Sequence, residues 1–176
     1  MGILVNKSTT NHLRKYFDLS LTHYQQGDLG LAVFFAVTLI EECAKILYLR
    51  DANLKDKRQR KAAVDHQEKR LVALCNLLTA SEQFDYLPRK WQDLAWTWLS
   101  EEYFMKLRND SLYLRFNYKG ELIIPERMIA KEQATLMVYL AGFSAVELSE
   151  FVDLDQACTE YIRQSIEAFR ATYLKE

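Results

Sequence analysis

Side chains able to do chemistry gather in three short stretches of this sequence. The first, TLIEECAKILYL, sets Glu41, Glu42 and Lys45 into the second half of a strongly apolar run. On a helix Thr38, Glu41 and Lys45 share a face, and a glutamate four residues before a lysine is the favourable order for an intrahelical pair. Charges on so apolar a segment need partners from other elements, because an unpaired buried charge is costly. Arg108 is the expected partner, so one network of Glu41, Lys45 and Arg108 is expected, with a salt-bridged bundle edge as the plainer alternative. The second stretch, DHQEK, spaces His66 and Lys69 by about one helical turn. An imidazole titrates near neutrality and can shuttle protons, although a lone histidine equally serves on a surface or at a cap. The third, LRNDSLYLRF, carries Arg108, Asn109 and Tyr113. On a continuing helix Asn109 and Tyr113 share a face while Arg108 points about 100° away, so Arg108 and Tyr113 converge only if the helix ends or bends between them.

Other site chemistries find little support. A bundle di-iron centre needs paired Glu-x-x-His motifs, whereas Glu41 and Glu42 are followed at that offset by Ala44 and Lys45, and His12 and His23 supply no such partner. No zinc spacing, nucleophile-elbow signature or glycine-rich phosphate loop is present. The reading assigns neither metal nor cofactor.

The elements that position these residues follow from composition and periodicity. The chain has 176 residues, 49% hydrophobic and 12% aromatic, with two prolines and five glycines. That suits one domain over 1–176 built from long helices. A formal charge of −1 excludes a global basic field that would recruit nucleic acid. Cys43, Cys75 and Cys158 sit among apolar residues and read as buried thiols in a reducing compartment. The apolar run 29–40 is too short to span a bilayer, so a cytoplasmic protein without membrane contact is expected. Helices are expected over 7–26, from an Asp28 cap to about Arg50, over 61–80, from Arg89 to about Asn109, from Pro125 to roughly Glu150, and from a cap at Asp153 or Asp155 to Tyr173. The second of these is expected to be the central and most buried. Between Leu112 and Ile124 the pattern alternates and carries Gly120, which predicts an extended or hairpin insertion whose Leu114, Phe116 and Tyr118 face the bundle. The fold class is all-α, a bundle of five to six helices with one non-helical insertion around 112–124.

Two resemblances extend this reading. Arg108-Asn109-Asp110-Ser111-Leu112-Tyr113 resembles the Arg-x4-6-His signature of the HEPN superfamily, helical domains that often act as metal-independent RNases, with tyrosine in the histidine place. From about Gly27 to Gly142 the succession GDLGLAVFFAVTLIEECAKILYL, DHQEK and LRNDSLYLRFNYKGELIIP is similar to the AbiV family of phage abortive-infection proteins. That family shows an apolar helix ending in Glu-Glu-x-x-Lys, a His-x-x-Lys element, and a basic residue before a Leu-Tyr-hydrophobic segment leading to proline. The matched positions are Glu41, Glu42, Lys45, His66, Lys69, Arg108 and Tyr113.

The resemblance implies a HEPN-like bundle and two functions of different class. In the first, the protein cleaves or binds RNA: Arg108 and Lys45 contact phosphate, Lys69 and Asn109 assist binding, Tyr113 positions the nucleotide, His66 serves as general acid/base, and Glu41 and Glu42 organise the site. Tyrosine, with an ordinary pKa of about 10, is a poor base near neutral pH, but it can donate to phosphate or stack on a base. In the second, the protein is a non-enzymatic interaction module for a phage or translation-related partner. By analogy with HEPN-like proteins, a homodimer with paired motifs is expected.

Overall fold

The computed structural model describes residues 7–51, 78, 81–98, 101–112, 115–116, 119–125 and 128–175. The helix expected over 61–80 lies outside them except for Leu78, which is buried in the core.

Helix α1 spans Lys7–Gln26 and α2 spans Leu29–Asp51. The boundary between them is encoded locally. Gly27 takes a positive φ of 83°, while its N–H bonds the Tyr24 carbonyl at 3.1 Å and the Asp28 N–H reaches back to the His23 carbonyl at 2.9 Å. This Schellman arrangement needs a left-handed residue, which glycine adopts without steric cost. Asp28 then starts α2, its Oδ1 accepting from the Leu31 N–H at 3.2 Å.

After Ser81 a single turn, α3 (Glu82–Asp85), leads through Pro88 into α4 (Arg89–Trp98), followed by α5 (Glu101–Leu112). The stretch expected as one helix from Arg89 is thus described as two, with residues 99 and 100 outside the described set. Helix α5 runs to Leu112, three residues beyond the expected Asn109. Strands β1 (Arg115–Phe116) and β2 (Leu122–Ile123) pair antiparallel, Arg115 opposite Ile123 and Phe116 opposite Leu122. This is the expected hairpin, with Gly120 at a φ of 76° between the strands. The side chains of Leu114, Phe116 and Tyr118, expected to face the bundle, lie outside the described set.

Helix α6 begins at Lys131, not at Pro125, and ends at Leu148. The local hydrogen bonds give the reason. The Met128 N–H closes a turn onto the Pro125 carbonyl at 2.9 Å, and Gln133 Oε1 accepts from the Ala130 N–H at 2.7 Å, fixing the start of the helix there. Helix α7 spans Gln156–Tyr173, and of the two expected caps it is Asp155 that acts, its Oδ1 accepting from the Cys158 N–H at 3.0 Å.

The centre of the bundle is shared. Helix α2 packs on α1, α5 and α6, and α6 also packs on α1 and α7. Contrary to the expectation for α2, α6 is the more buried: its residues from Ala134 to Val146 are all buried. Small residues, Ala141, Gly142, Ser144 and Ala145, let neighbours close in on α6 from several sides, whereas α2 turns a flank carrying Glu41, Glu42 and Lys45 toward the edge. Several polar groups inside are matched: Tyr24 Oη and Thr135 Oγ1 lie 2.7 Å apart between α1 and α6, and Ser20 donates to the Ala32 carbonyl at 3.1 Å.

Candidate functional site

The polar residues singled out from the sequence lie where α5 packs against the second half of α2. On α2, Leu39, Ile40, Cys43, Ala44 and Leu47 are buried, which leaves Glu41, Glu42 and Lys45 on the half-buried flank. On α5, Leu107, Asp110 and Ser111 are buried, and Arg108 and Asn109 are intermediate. Helix packing thus brings Arg108 to Glu41: Nη1 lies 3.8 Å from Oε1, with the arginine side chain 33% and the glutamate 16% exposed.

Lys45 does not join them. Its ammonium pairs with Glu42 Oε1 at 2.6 Å, one turn back on the same helix. The expected single network of Glu41, Lys45 and Arg108 is therefore two adjacent pairs, Glu41 with Arg108 and Glu42 with Lys45. The expected intrahelical pair chose the wrong glutamate, because Glu41 is turned to the incoming guanidinium of α5 while Glu42 stays within reach of Lys45.

The end of α5 is held firmly. Ser111 Oγ donates to the Arg108 carbonyl at 2.7 Å. One turn and a half earlier, Tyr103 Oη accepts from Gln133 Nε2, joining α5 to the start of α6. Burial pushes the Tyr103 phenol up, offset in part by that bond, with Asp110 adding to the rise. Within this frame Arg108 Nε is buried with no hydrogen-bond partner among the described residues. Among the described residues the guanidinium is thus positioned by one loose ion pair, with its Nε donor unused.

Helix α5 is described through Leu112, and the expected convergence of Arg108 and Tyr113 falls on a residue outside the described set. Tyr113, His66 and Lys69 themselves lie outside the described residues. Cys43, beside Glu42, is fully buried, and burial with that neighbouring carboxylate pushes its thiol up, which keeps it protonated and unreactive at neutral pH. Among the described residues no group of three or more His, Cys, Asp or Glu comes together as a metal site would require. Sequence reasoning passed over Asp110, Tyr103 and Gln133. The available signal was an aspartate and a tyrosine seven residues apart on one helical stripe, both demanding polar partners.

Comparison with known proteins yields one finding. The family model for AbiV, of the HEPN type, matches residues 5–143. That span contains α1 through most of α6, both glutamates, Lys45, His66, Lys69, Arg108 and Tyr113. Curated proteins and solved structures give no match.

Proposed function

Because the chain belongs to the HEPN-type AbiV family of abortive-infection proteins, we propose that it acts in phage defence by engaging RNA at the junction of α2 and α5. The carrying observation is Arg108: one third exposed, 3.8 Å from Glu41, and with a buried Nε lacking a partner among the described residues. A guanidinium held in place but not saturated suits a bidentate contact to phosphate. In this reading Glu41 orients Arg108, and Glu42 does the same for Lys45, the second phosphate contact. Asn109 and Lys69 assist binding, and Tyr113 positions the nucleotide. His66 supplies the proton transfer of a metal-independent cleavage, since a phenol is a weak base near neutrality. The working unit is a cytoplasmic homodimer. No helix among the described residues is long and apolar enough to cross a membrane.

A second reading keeps the defence role and removes the chemistry: a module that binds a phage or translation-related protein. It draws on the tyrosine in the histidine place and on the exposed aromatics Tyr86 and Trp96, 64% and 59% accessible near the start and end of the α3–α4 segment.

Cleavage of labelled single-stranded RNA without added metal, measured beside phage protection, tests the two. The enzyme reading expects His66→Ala to lower cleavage by roughly 10²–10⁴-fold with binding intact. It further expects Arg108→Ala to weaken both steps, and Tyr113→His to raise activity. Protection that persists in His66→Ala and Arg108→Ala, with no cleavage by any variant, leaves the interaction module.

A further inference from the structure

A cavity of about 360 Å³ opens between the C-terminal half of α6 and α7, with Ser81 at its edge. We infer that it is a binding site for a small organic cation, an ammonium group carried on an apolar body. The site is independent of the junction of α2 and α5, and most of its lining lies beyond the residues that the family model matches.

The size falls within the range of small-molecule pockets, roughly 300–1,000 Å³. Its floor is apolar: Phe143, Val146 and Ile166 are buried side chains of the two helices. Tyr139 lies beside Phe143, ring centroids 5.9 Å apart and near-parallel, so the floor is partly aromatic.

The walls decide the charge of the occupant. They carry three carboxylates, Glu147, Glu150 and Glu167, and two guanidiniums, Arg163 and Arg170, which leaves one net negative charge. Both arginines are already engaged. Arg163 pairs with Glu160 at 3.0 Å and lies 3.9 Å from Glu150, and Arg170 donates a hydrogen bond to the Tyr139 hydroxyl. Glu147 is half-buried, bonds the neutral Ser81 hydroxyl, and shares the charge of Arg163 with Glu150 and Glu160. Burial raises its carboxyl, and the Ser81 bond and Arg163 offset this only in part while Glu150 adds to the rise, so further compensating charge would be favourable there. An ammonium beside Glu147 supplies that charge while its hydrocarbon part covers the apolar floor. One positive charge balances the lining, so a monocation fits better than an anion or a polycation.

Isothermal titration calorimetry of the full chain with phenethylammonium chloride tests this, with 3-phenylpropanoate as the anion of matching shape. The expected result is saturable binding of phenethylammonium with a Kd below ~1 mM and no binding of the carboxylate. Glu147→Gln, nearly isosteric, is expected to weaken binding by at least ~10-fold at an unchanged circular dichroism spectrum. Val146→Trp, which fills the floor, is expected to abolish it. Absence of saturable heat with phenethylammonium, equal affinity in Glu147→Gln, or equally tight binding of 3-phenylpropanoate would each overturn the assignment.

Discussion

Replacing Gly142 with alanine sets two effects of opposite sign against each other, and the structure decides the winner. Gly142 lies within α6, where alanine is favoured over glycine by about 1 kcal/mol through backbone entropy alone. A Cβ built at this position, however, would sit 2.2 Å from Ile166 Cγ2 and 2.6 Å from Phe17 Cε2, with Phe17 Cδ2 at 3.2 Å. Both approaches below 3.0 Å must be relieved by movement. Phe17 and Ile166 are buried, so neither side chain can swing into solvent. Overpacking of a filled core costs about 1–3 kcal/mol, and two displaced neighbours place this site at the upper end. The net expectation is a loss of about 2 kcal/mol. With a urea m-value of about 2 kcal/mol/M, the denaturation midpoint should fall by about 1 M at unchanged m. Phe17→Leu should recover part of the loss in the double variant, a coupling of ~0.5 kcal/mol or more. An unchanged or higher midpoint in Gly142→Ala would refute the claim that α1 and α7 close onto α6 through this glycine.

Two further expectations concern charge. Glu41→Ala leaves Arg108 without its ion-pair partner in a half-buried place, a cost of about 1–2 kcal/mol, between the limits for exposed and buried pairs; a urea midpoint equal to that of the unaltered chain would contradict it. Burial raises the Glu147 carboxyl, so the folded chain holds this proton more tightly than the unfolded one. The resulting stability is fully present below the ordinary glutamate pKa of about 4.3 and is lost as pH rises through the raised value. Glu147→Gln should flatten that part of the pH profile of the denaturation midpoint, and identical profiles would count against it.

The legible parts of the sequence were those written locally. The close of α1 before Gly27 and the Asp28 start of α2 stand as expected, and of the two expected caps of α7 Asp155 acts; each depends on one residue acting on its own neighbours. The hairpin around Gly120 was readable for the same reason. The start of α6 was misread although its bond is local: Gln133 Oε1 caps the Ala130 N–H, and only the Tyr103 bond that holds the Gln133 amide comes from another element. The partner of Lys45 was out of reach, since the choice between Glu41 and Glu42 depends on where the Arg108 guanidinium arrives. The cavity between α6 and α7 left almost no trace in the sequence. Its one local sign is Glu147, an acid within the otherwise apolar stretch of α6.

The central claim is that Arg108 contacts an RNA phosphate. Its most direct measurement is the salt dependence of equilibrium binding of labelled single-stranded RNA, compared between the unaltered chain and Arg108→Ala. A lost phosphate contact predicts weaker binding by Arg108→Ala at low salt and a slope of log K against log salt shallower by about 0.7. Identical affinity and identical slope in the two proteins would contradict the account.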